Sequence, residues 1–271
     1  MLVFGCYMKN DLDKPEMIPA QRRSLILELI RLHASVSVND LAKLIGVSLS
    51  TVRRDLSELS KSGYIQRSHG GAVLSLEAGT VTEPDRELAS HFAREEKRAI
   101  GHLAAESLSD GQSVLFDSSS TVMEVARCAV EKGLRLTAVT NDVKMAELLA
   151  RSPAIKIVVL GGSIRPGSPT LIGEPGMSFL ESLHVDVVFI GIHAVKGTKL
   201  CETQVDLAVM KRRMISAAQH KVLVADADKF ALTAFCNVCD LREIDEIVTD
   251  RRMPESLQND IREMGISLKL A

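Results

Sequence analysis

The run SLSTVRRDLS at positions 48–57 concentrates groups that hydrogen-bond to a polyanion. At helical spacing Ser48, Ser50, Thr51, Arg53, Arg54 and Ser57 fall on one side, while Val47, Val52, Leu56 and Leu59 fall on the other. An arginine guanidinium can fork onto guanine O6 and N7, and serine or threonine hydroxyls suit phosphate oxygens or either groove edge. Further on, Arg67 and His69 stand beside Gly70 and Gly71, which are small enough to let backbone approach a phosphate or a minor groove. Taken alone, Arg53-Arg54 is better explained as a pair of solvated surface charges. The ordered series of cap, break, cap, basic face and glycine-rich hairpin points to double-stranded DNA.

A second set of residues suits a small anion. Asp117-Ser118-Ser119-Ser120-Thr121 follows a short apolar run and leads into a helical pattern. Hydroxyls and unpaired N–H groups at a helix start bind phosphate, though serines that merely cap the helix would look the same. Thr140-Asn141 repeats the arrangement. Gly161-Gly162 with Arg165 forms a flexible loop ending in a guanidinium suited to two-pronged phosphate contact. His193 follows a fourth apolar run, and Asp226 with Lys229 follows a fifth.

The elements that must position these groups differ between the two parts. Residues 20–33 carry Leu25, Ile26, Leu29, Ile30 and Leu32 at helical spacing. Asn39 can cap a short helix over 40–45, Gly46 breaks it, Ser48 can cap a helix over 49–62, and Gly63 can end it. Short β-capable runs at 64–67 and 72–76 flank His69-Gly70-Gly71, giving a hairpin after a helix-turn-helix. Beyond residue 95 the pattern alternates. Strands are expected at 113–117, 136–140, 155–160, 185–191, 221–226, 246–249 and 267–270. Helices are expected at 96–108, 121–131, 143–151, 174–183, 205–220 and 255–263. Near-continuous apolar strands such as IKIVVL and DVVFIG predict a mainly parallel, doubly wound sheet covered on both faces. In such a sheet ligands bind beyond the carboxyl ends of the strands, where the runs above end.

Composition narrows the classes. The chain has 271 residues, 46% hydrophobic and 25% charged, with a net charge of −2. The average hides a net +4 over 18–76 and −5 over 77–271, so an anionic macromolecule is expected to meet only the first part. No apolar run reaches the ~18 residues of a membrane helix, and the start resembles no secretory signal. Five scattered cysteines form no disulfide framework, which fits a reducing cytoplasm. With no Trp and two Tyr, stacking platforms for single-stranded nucleic acid are not expected. Expected domains are an extension over 1–17, a winged helix-turn-helix over 18–76, a polar linker over 77–94 containing Pro84, and an α/β sensor over 95–271. Met8 and Met17 are alternative starts to Met1.

The segment IPAQRRSLILELIRLHASVSVNDLAKLIGVSLSTVRRDLSELSKSGYIQRSHGGAVL resembles the DNA-binding domain of the DeoR family of bacterial transcriptional regulators, most specifically over STVRRDLSELSKSGYIQRSHGGA. The remainder is similar to that family's sugar-phosphate sensor, which in turn resembles ribose-5-phosphate isomerase. MKRRMI and VADADKF resemble the family's VKR and LADSSKF runs, so the resemblance implies pocket roles for Lys211 and Lys229. The chain departs from the family pattern in several places. DSSST replaces DSGTT, GIHAV replaces GADGI, and Leu207 occupies the place four before Lys211 where Glu is common. Cys201 and Glu202 replace common threonines. These differences bear on which sugar is read.

The resemblance implies a cytoplasmic repressor of a catabolic operon, a homo-dimer or tetramer, released from its operator by a phosphorylated sugar. No cofactor, metal or membrane is expected to take part. Two alternatives come from other classes. Asp117, Asp226 and Lys229 could serve a sugar-phosphate isomerase, which needs a base and an acid or cation. Cys236 and Cys239 have CxxC spacing and could sense redox state or metal, although no second pair accompanies them. Replacing Arg53 or Arg54 by Ala should cost about 1–3 kcal/mol of operator binding and relax preference at one base if the side chain reads guanine. A loss uniform across sequences with a shallower salt slope would make it a phosphate contact instead.

Overall fold

In the computed structural model the described residues are 17–33, 35–61, 65–68, 70–74 and 93–271. The expected extension, the expected helix stop at Gly63, His69 and most of the expected linker lie outside them. The chain divides into two compact units, Met1–Leu76 and Glu77–Ala271.

The first unit is built from helix α1 (Pro19–His33), strand β1 (Ser35–Ser37), helices α2 (Val38–Ile45) and α3 (Leu49–Lys61), and strands β2 (Ile65–Ser68) and β3 (Gly71–Leu74). The three strands pair antiparallel in the order β1-β3-β2. The apolar stripe of α1 centres on Ile26, Leu27 and Ile30, which are fully buried, while Leu25 and Leu29 sit half-buried at its margins. The reading from spacing alone had left out Leu27. They pack with Leu41, Val52, Leu56 and Leu59 from the next two helices. Ser37, not Asn39, caps α2: its hydroxyl accepts from Asp40 N at 3.1 Å. The reason is β1, which the sequence did not reveal and which carries Ser37 to the helix start in extended conformation. Gly46 closes α2 in the left-handed region at φ 76°, and Ser48 Oγ accepts from Thr51 N at the start of α3.

One ion pair ties α1 to α3. Arg22 Nε donates to Asp55 Oδ2 at 2.5 Å and Arg22 Nη2 to Asp55 Oδ1 at 3.2 Å. Asp55 is buried in an otherwise apolar seam, so its charge depends on this two-pronged partner.

The second unit holds seven parallel strands in the order β15-β14-β12-β9-β4-β5-β6. In chain order these are β4 (Ser113–Phe116), β5 (Leu136–Thr140), β6 (Ile155–Val159), β9 (Val185–Ile190), β12 (Ala218–Val224), β14 (Glu246–Thr249) and β15 (Ser267–Leu270). All seven lie where the apolar runs predict them. Helices Arg94–Ala104, Ser120–Glu131 and Val143–Leu149 cover one face, around Phe116, Val125 and Val222. Helices Gly176–Leu180, Val205–Ser216 and Glu255–Glu263 cover the other, around Leu115, Met214 and Ile247. Phe116 and Phe189 are opposite one another on β4 and β9, with rings stacked at 5.9 Å.

The sheet reverses its order between β4 and β9. Strands β5 and β6 extend one way and β12, β14 and β15 the other, which makes the carboxyl ends of β4 and β9 the switch point. Two smaller sheets were not foreseen: hairpin β7 (Ser163–Ile164) with β8 (Leu171–Ile172), and the antiparallel set β10 (Ala194–Lys196), β11 (Lys199–Glu202) and β13 (Cys236–Asp240). The helix expected over 205–220 stops at Ser216. Ala218 and His220 instead pair with Val185 and Val187, because a parallel ladder satisfies the backbone that a longer helix would have used.

Asp55→Ala should destabilise the first unit by about 3 kcal/mol, the low end for breaking a buried pair, since Arg22 still reaches water. Hydrogen exchange of α1 and α3 in the full chain reads the loss; unchanged protection would show the pair to be dispensable.

Candidate functional site

On the first unit, Ser48, Ser50, Arg53, Arg54 and Arg67 are exposed, and Thr51 and Ser57 are half-buried. Ser48 Oγ lies 2.8 Å from both Ser50 Oγ and Thr51 Oγ1, so these hydroxyls form one cluster at the start of α3. A groove of about 280 Å³ separates α3 from the hairpin and is lined by Val38, Asn39, Arg53, Arg67, Ser68, Gly70 and Gly71. Two of the expected basic residues, Arg53 and Arg67, therefore share one concavity. Asn39 joins them; the sequence had assigned it to capping. Gly71 has a packing duty, because a Cβ there would overlap Val36 O. Gly70 is in the left-handed region at φ 108° with open space around its Cα. Its freedom serves the turn.

In the second unit the switch point is closed by charge. Asp117, fully buried after β4, accepts from Ser119 N at 2.7 Å and from Gly191 N at 3.0 Å. Lys211 Nζ lies 3.1 Å from Asp117 Oδ2, 2.6 Å from Glu202 Oε1 and 2.7 Å from Gly191 O. All three groups are buried, with Lys211 only 6% exposed. Burial alone would lower the lysine pKa, but Asp117 and Glu202 outweigh it and the net shift is upward. The three ammonium hydrogens thus have three acceptors. Lys211 is a brace that joins β4, β9, β11 and its own helix, and any ligand anion would compete with two carboxylates for it. Glu202 supplies the carboxylate that the family pattern would lead one to seek at Leu207. It does so from a strand, which spacing along a helix could not reveal.

The hydroxyl loop divides its labour. Ser119 caps helix Ser120–Glu131, its Oγ accepting from Val122 N at 3.1 Å. A Cβ on Gly191 would overlap this serine. Ser118 and Ser120 flank the cap half-buried, and Thr121 is buried. At the end of β5, Thr140 Oγ1 accepts from Asp142 N, and Asp142 caps the next helix. Asn141 Nδ2 donates to Leu171 O at 3.1 Å, while its Oδ1 is buried with no hydrogen-bond partner among the described residues.

The hairpin β7–β8 docks on this strand end through Leu171 N to Asn141 O and a bridge between Asp142 and Thr170. It carries Arg165, half-buried, whose backbone N–H donates to Thr170 O at 2.9 Å. Gly161 and Gly162 fit packing better than ligand contact, because Cβ atoms there would meet Pro175 and the Ile172 backbone. His193 is half-buried after β9. Asp226 is buried after β12 and Lys229 is half-buried in the short helix Ala227–Ala231 that follows.

A further cation was missed. Lys97, 5% exposed on helix Arg94–Ala104, shares its buried face with Ile100, Gly101 and Ala104. Burial and the charge of Lys229 push its pKa down to about 8. The signal was present in the sequence as a lysine within the apolar stripe of an amphipathic helix.

The CxxC pair falls on β13, an extended strand. Cys236 and Cys239 lie on either side of an irregularity at Val238 in the pairing of β13 with β11, and both thiols are free. Burial raises the pKa of Cys128, Cys201, Cys236 and Cys239, the last to about 12, so these thiols stay protonated at neutral pH. Among the described residues no group of His, Cys, Asp and Glu is arranged to hold a metal, and no helix is long and apolar enough to cross a membrane.

Lys211→Ala should cost about 3–5 kcal/mol, because it strands two buried carboxylates. Thermal or urea unfolding of the full chain measures it, and Glu202→Gln in the same chain should recover part of the loss. Stability equal to wild type would show that Lys211 braces nothing.

Comparison with known proteins agrees with this anatomy. The DeoR-like helix-turn-helix domain matches residues 22–77 and the DeoR C terminal sensor domain matches residues 93–251. The HTH-type transcriptional regulator GlpR of Haloferax volcanii is 36% identical over 93% of this chain and 98% of its own. The HTH-type transcriptional repressor GlcR of Bacillus subtilis is 30% identical over 93% of this chain and 96% of its own. Ribose 5-phosphate isomerase A of Methanocaldococcus jannaschii is 17% identical over 51% of this chain and 54% of its own, with a TM-score of 0.38. That likeness is too low to bear on activity. The two family matches and the full-length relatives establish that the chain belongs to the DeoR family of DNA-binding transcriptional regulators.

Proposed function

We propose that this regulator is a repressor of a carbohydrate operon, acting in the cytoplasm, and that a phosphorylated sugar lowers its operator affinity. The observation that carries the reading is the set of polar groups at the carboxyl ends of β4, β5 and β12, around the switch point of the sheet. Asn141 holds a buried acceptor with no donor among the described residues, which costs ~1–3 kcal/mol unless something donates to it. A sugar hydroxyl supplies that donor. Ser118, Ser120 and the first N–H groups of helix Ser120–Glu131 suit the phosphate, with Arg165 and Lys229 as its cations. Asp117, Ser119, Thr140, Gly161, Gly162 and Lys211 shape and brace the site. Thr121, His193 and Asp226 border it.

The isomerase alternative loses support from the state of Asp117. Its carboxylate accepts from two backbone N–H groups and faces Lys211, so it is poorly placed to take a substrate proton. For DNA, we assign contact to Ser48, Ser50, Thr51, Arg53, Arg54, Ser57 and Arg67, with His69 beside them in the chain. One module of this size buries too little DNA for operator selectivity, so a dimer or tetramer fits the reading. Ligand release of DNA then requires that the effector bind the two states of the protein with different affinity.

The test is a thermal-shift screen of aldose and ketose monophosphates, followed by operator binding with each hit. Lys229→Ala should weaken the hit by about 2–3 kcal/mol while leaving operator affinity within about threefold, giving a repressor that the ligand does not release. A Lys229→Ala protein that still responds at wild-type ligand concentrations would remove Lys229 from the site. A screen without a hit would remove the sugar-phosphate reading.

A further inference from the structure

The two neighbouring arginines of α3 are set in different surroundings. Successive residues on an α-helix point about 100° apart, so Arg53 and Arg54 face different ways. Arg53 lines the groove between α3 and the hairpin, while Arg54 is exposed and is not among the residues that line it. The hairpin supplies the opposite wall. Arg67 on β2 stands across from Ala72 on β3, and Ser68 across from Gly71. The hairpin tip is tied to the body of the unit: Val38 N donates to Gly70 O at 2.9 Å, and Ser37 pairs with Gly71. Backbone bonds, not the arginines, therefore set where the second wall stands.

The start of α2 completes the lining. Val38 N is taken by Gly70 O, and Asp40 N by Ser37 Oγ at 3.1 Å. The amide of Asn39 lies between them in the chain and has no acceptor among the described residues. The adjacent carboxylate, Asp40, accepts from Ser37 Oγ at 2.6 Å. Among the described residues, those lining the groove include two arginines and no carboxylate. Two permanently charged guanidiniums thus share one concavity with amide donors, a set that suits an oxyanion. The two-walled shape narrows the choice. A base edge is read by a side chain that projects beyond the helix into the DNA groove, whereas a backbone phosphate protrudes from the duplex and can enter between two elements.

We infer that Arg53, Arg67 and Asn39 clamp one backbone phosphate of the DNA, and that Arg54 is the one of the two adjacent arginines that reads a base. The inference rests on the DNA contacts assigned above and divides them by task. It adds Asn39, a residue on α2, to a set otherwise drawn from α3 and the hairpin. A phosphate held between the two walls fixes the register of α3 on the duplex, and Arg54 then meets a set base pair.

The experiment selects a binding sequence from a pool of random DNA duplexes with the full-length protein. Fluorescence anisotropy then measures affinity for that duplex, and for duplexes changed at each base pair, over a range of KCl concentrations. Circular dichroism checks the folding of each variant. Arg53→Ala and Arg67→Ala should each bind every duplex about tenfold more weakly, with a shallower salt slope. The double variant should lose less than the product of the two single losses, because both side chains address one phosphate. Its salt slope should be shallower by about 1, the share of that phosphate. Asn39→Ala should weaken every duplex about threefold with the slope unchanged, since it carries no charge. Arg54→Ala should instead lose discrimination at one base position, by about tenfold. Should Arg53→Ala fail to fold, Arg53→Gln carries the same expectation. Relaxed preference at a base position in the Arg53 variant, a uniform loss in Arg54→Ala, or single losses that multiply in the double variant overturns the inference and leaves DNA binding standing. Asn39→Ala with wild-type affinity overturns the part given to Asn39. Wild type that selects no duplex overturns the DNA-contact reading and this inference with it.

Discussion

The buried cluster of Asp117, Lys211 and Glu202 is the constraint on which the sensor unit depends. A parallel sheet that reverses order must leave a crevice between the two strands at the reversal, and here those strands are β4 and β9. The residue after β4 is a carboxylate with no exposure, and the residue after β9 is a glycine whose N–H and C=O both serve the cluster. An isolated charge in that position would be too costly to keep. Lys211 and Glu202 make it tolerable and, in doing so, fix the distance between four elements.

That arrangement constrains everything at the rim. Ser119 packs on Gly191 and caps its helix, so the two serines beside it are presented at a set angle. Lys211 is spent on bracing two carboxylates, so in the proposed site positive charge for a ligand has to come from other residues. Lys229, in the short helix after β12, and Arg165, after β7, stand on separate elements.

The first unit solves its problem on a smaller core. Three helices and a three-stranded sheet bury Ile26, Leu27, Ile30, Leu41, Leu56 and Leu59, and the two-pronged pair between Arg22 and Asp55 spans the seam between the outer helices. This leaves the opposite side of α3 free to be polar. Arg53 and Arg67 then line a common groove because β3 is held against β1 by Gly71, whose missing side chain admits the Val36 carbonyl.

By itself the sequence determined the two-part organisation, the helix-turn-helix, and all seven strands of the parallel sheet. These follow from local periodicity: apolar runs of strand length, amphipathic helices, and Ser, Gly and Asp at element ends. It also placed Ser119, Thr140 and Asp226 at strand ends, because a strand's last residue is readable from where the apolar run stops. Only the tertiary structure decided which of these residues meet. Strands β1 and β10 have three residues each, and β11 (KLCE) and β13 (CNVCD) mix polar and apolar residues without the continuous apolar run of the main sheet, so they form because a partner is already in place. Glu202 reaches Lys211 from one of them, across a sheet edge. The two cysteines of the CxxC spacing stay free thiols on strand β13. Pairing across long sequence separations depends on chain geometry in three dimensions, and no window along the sequence contains it.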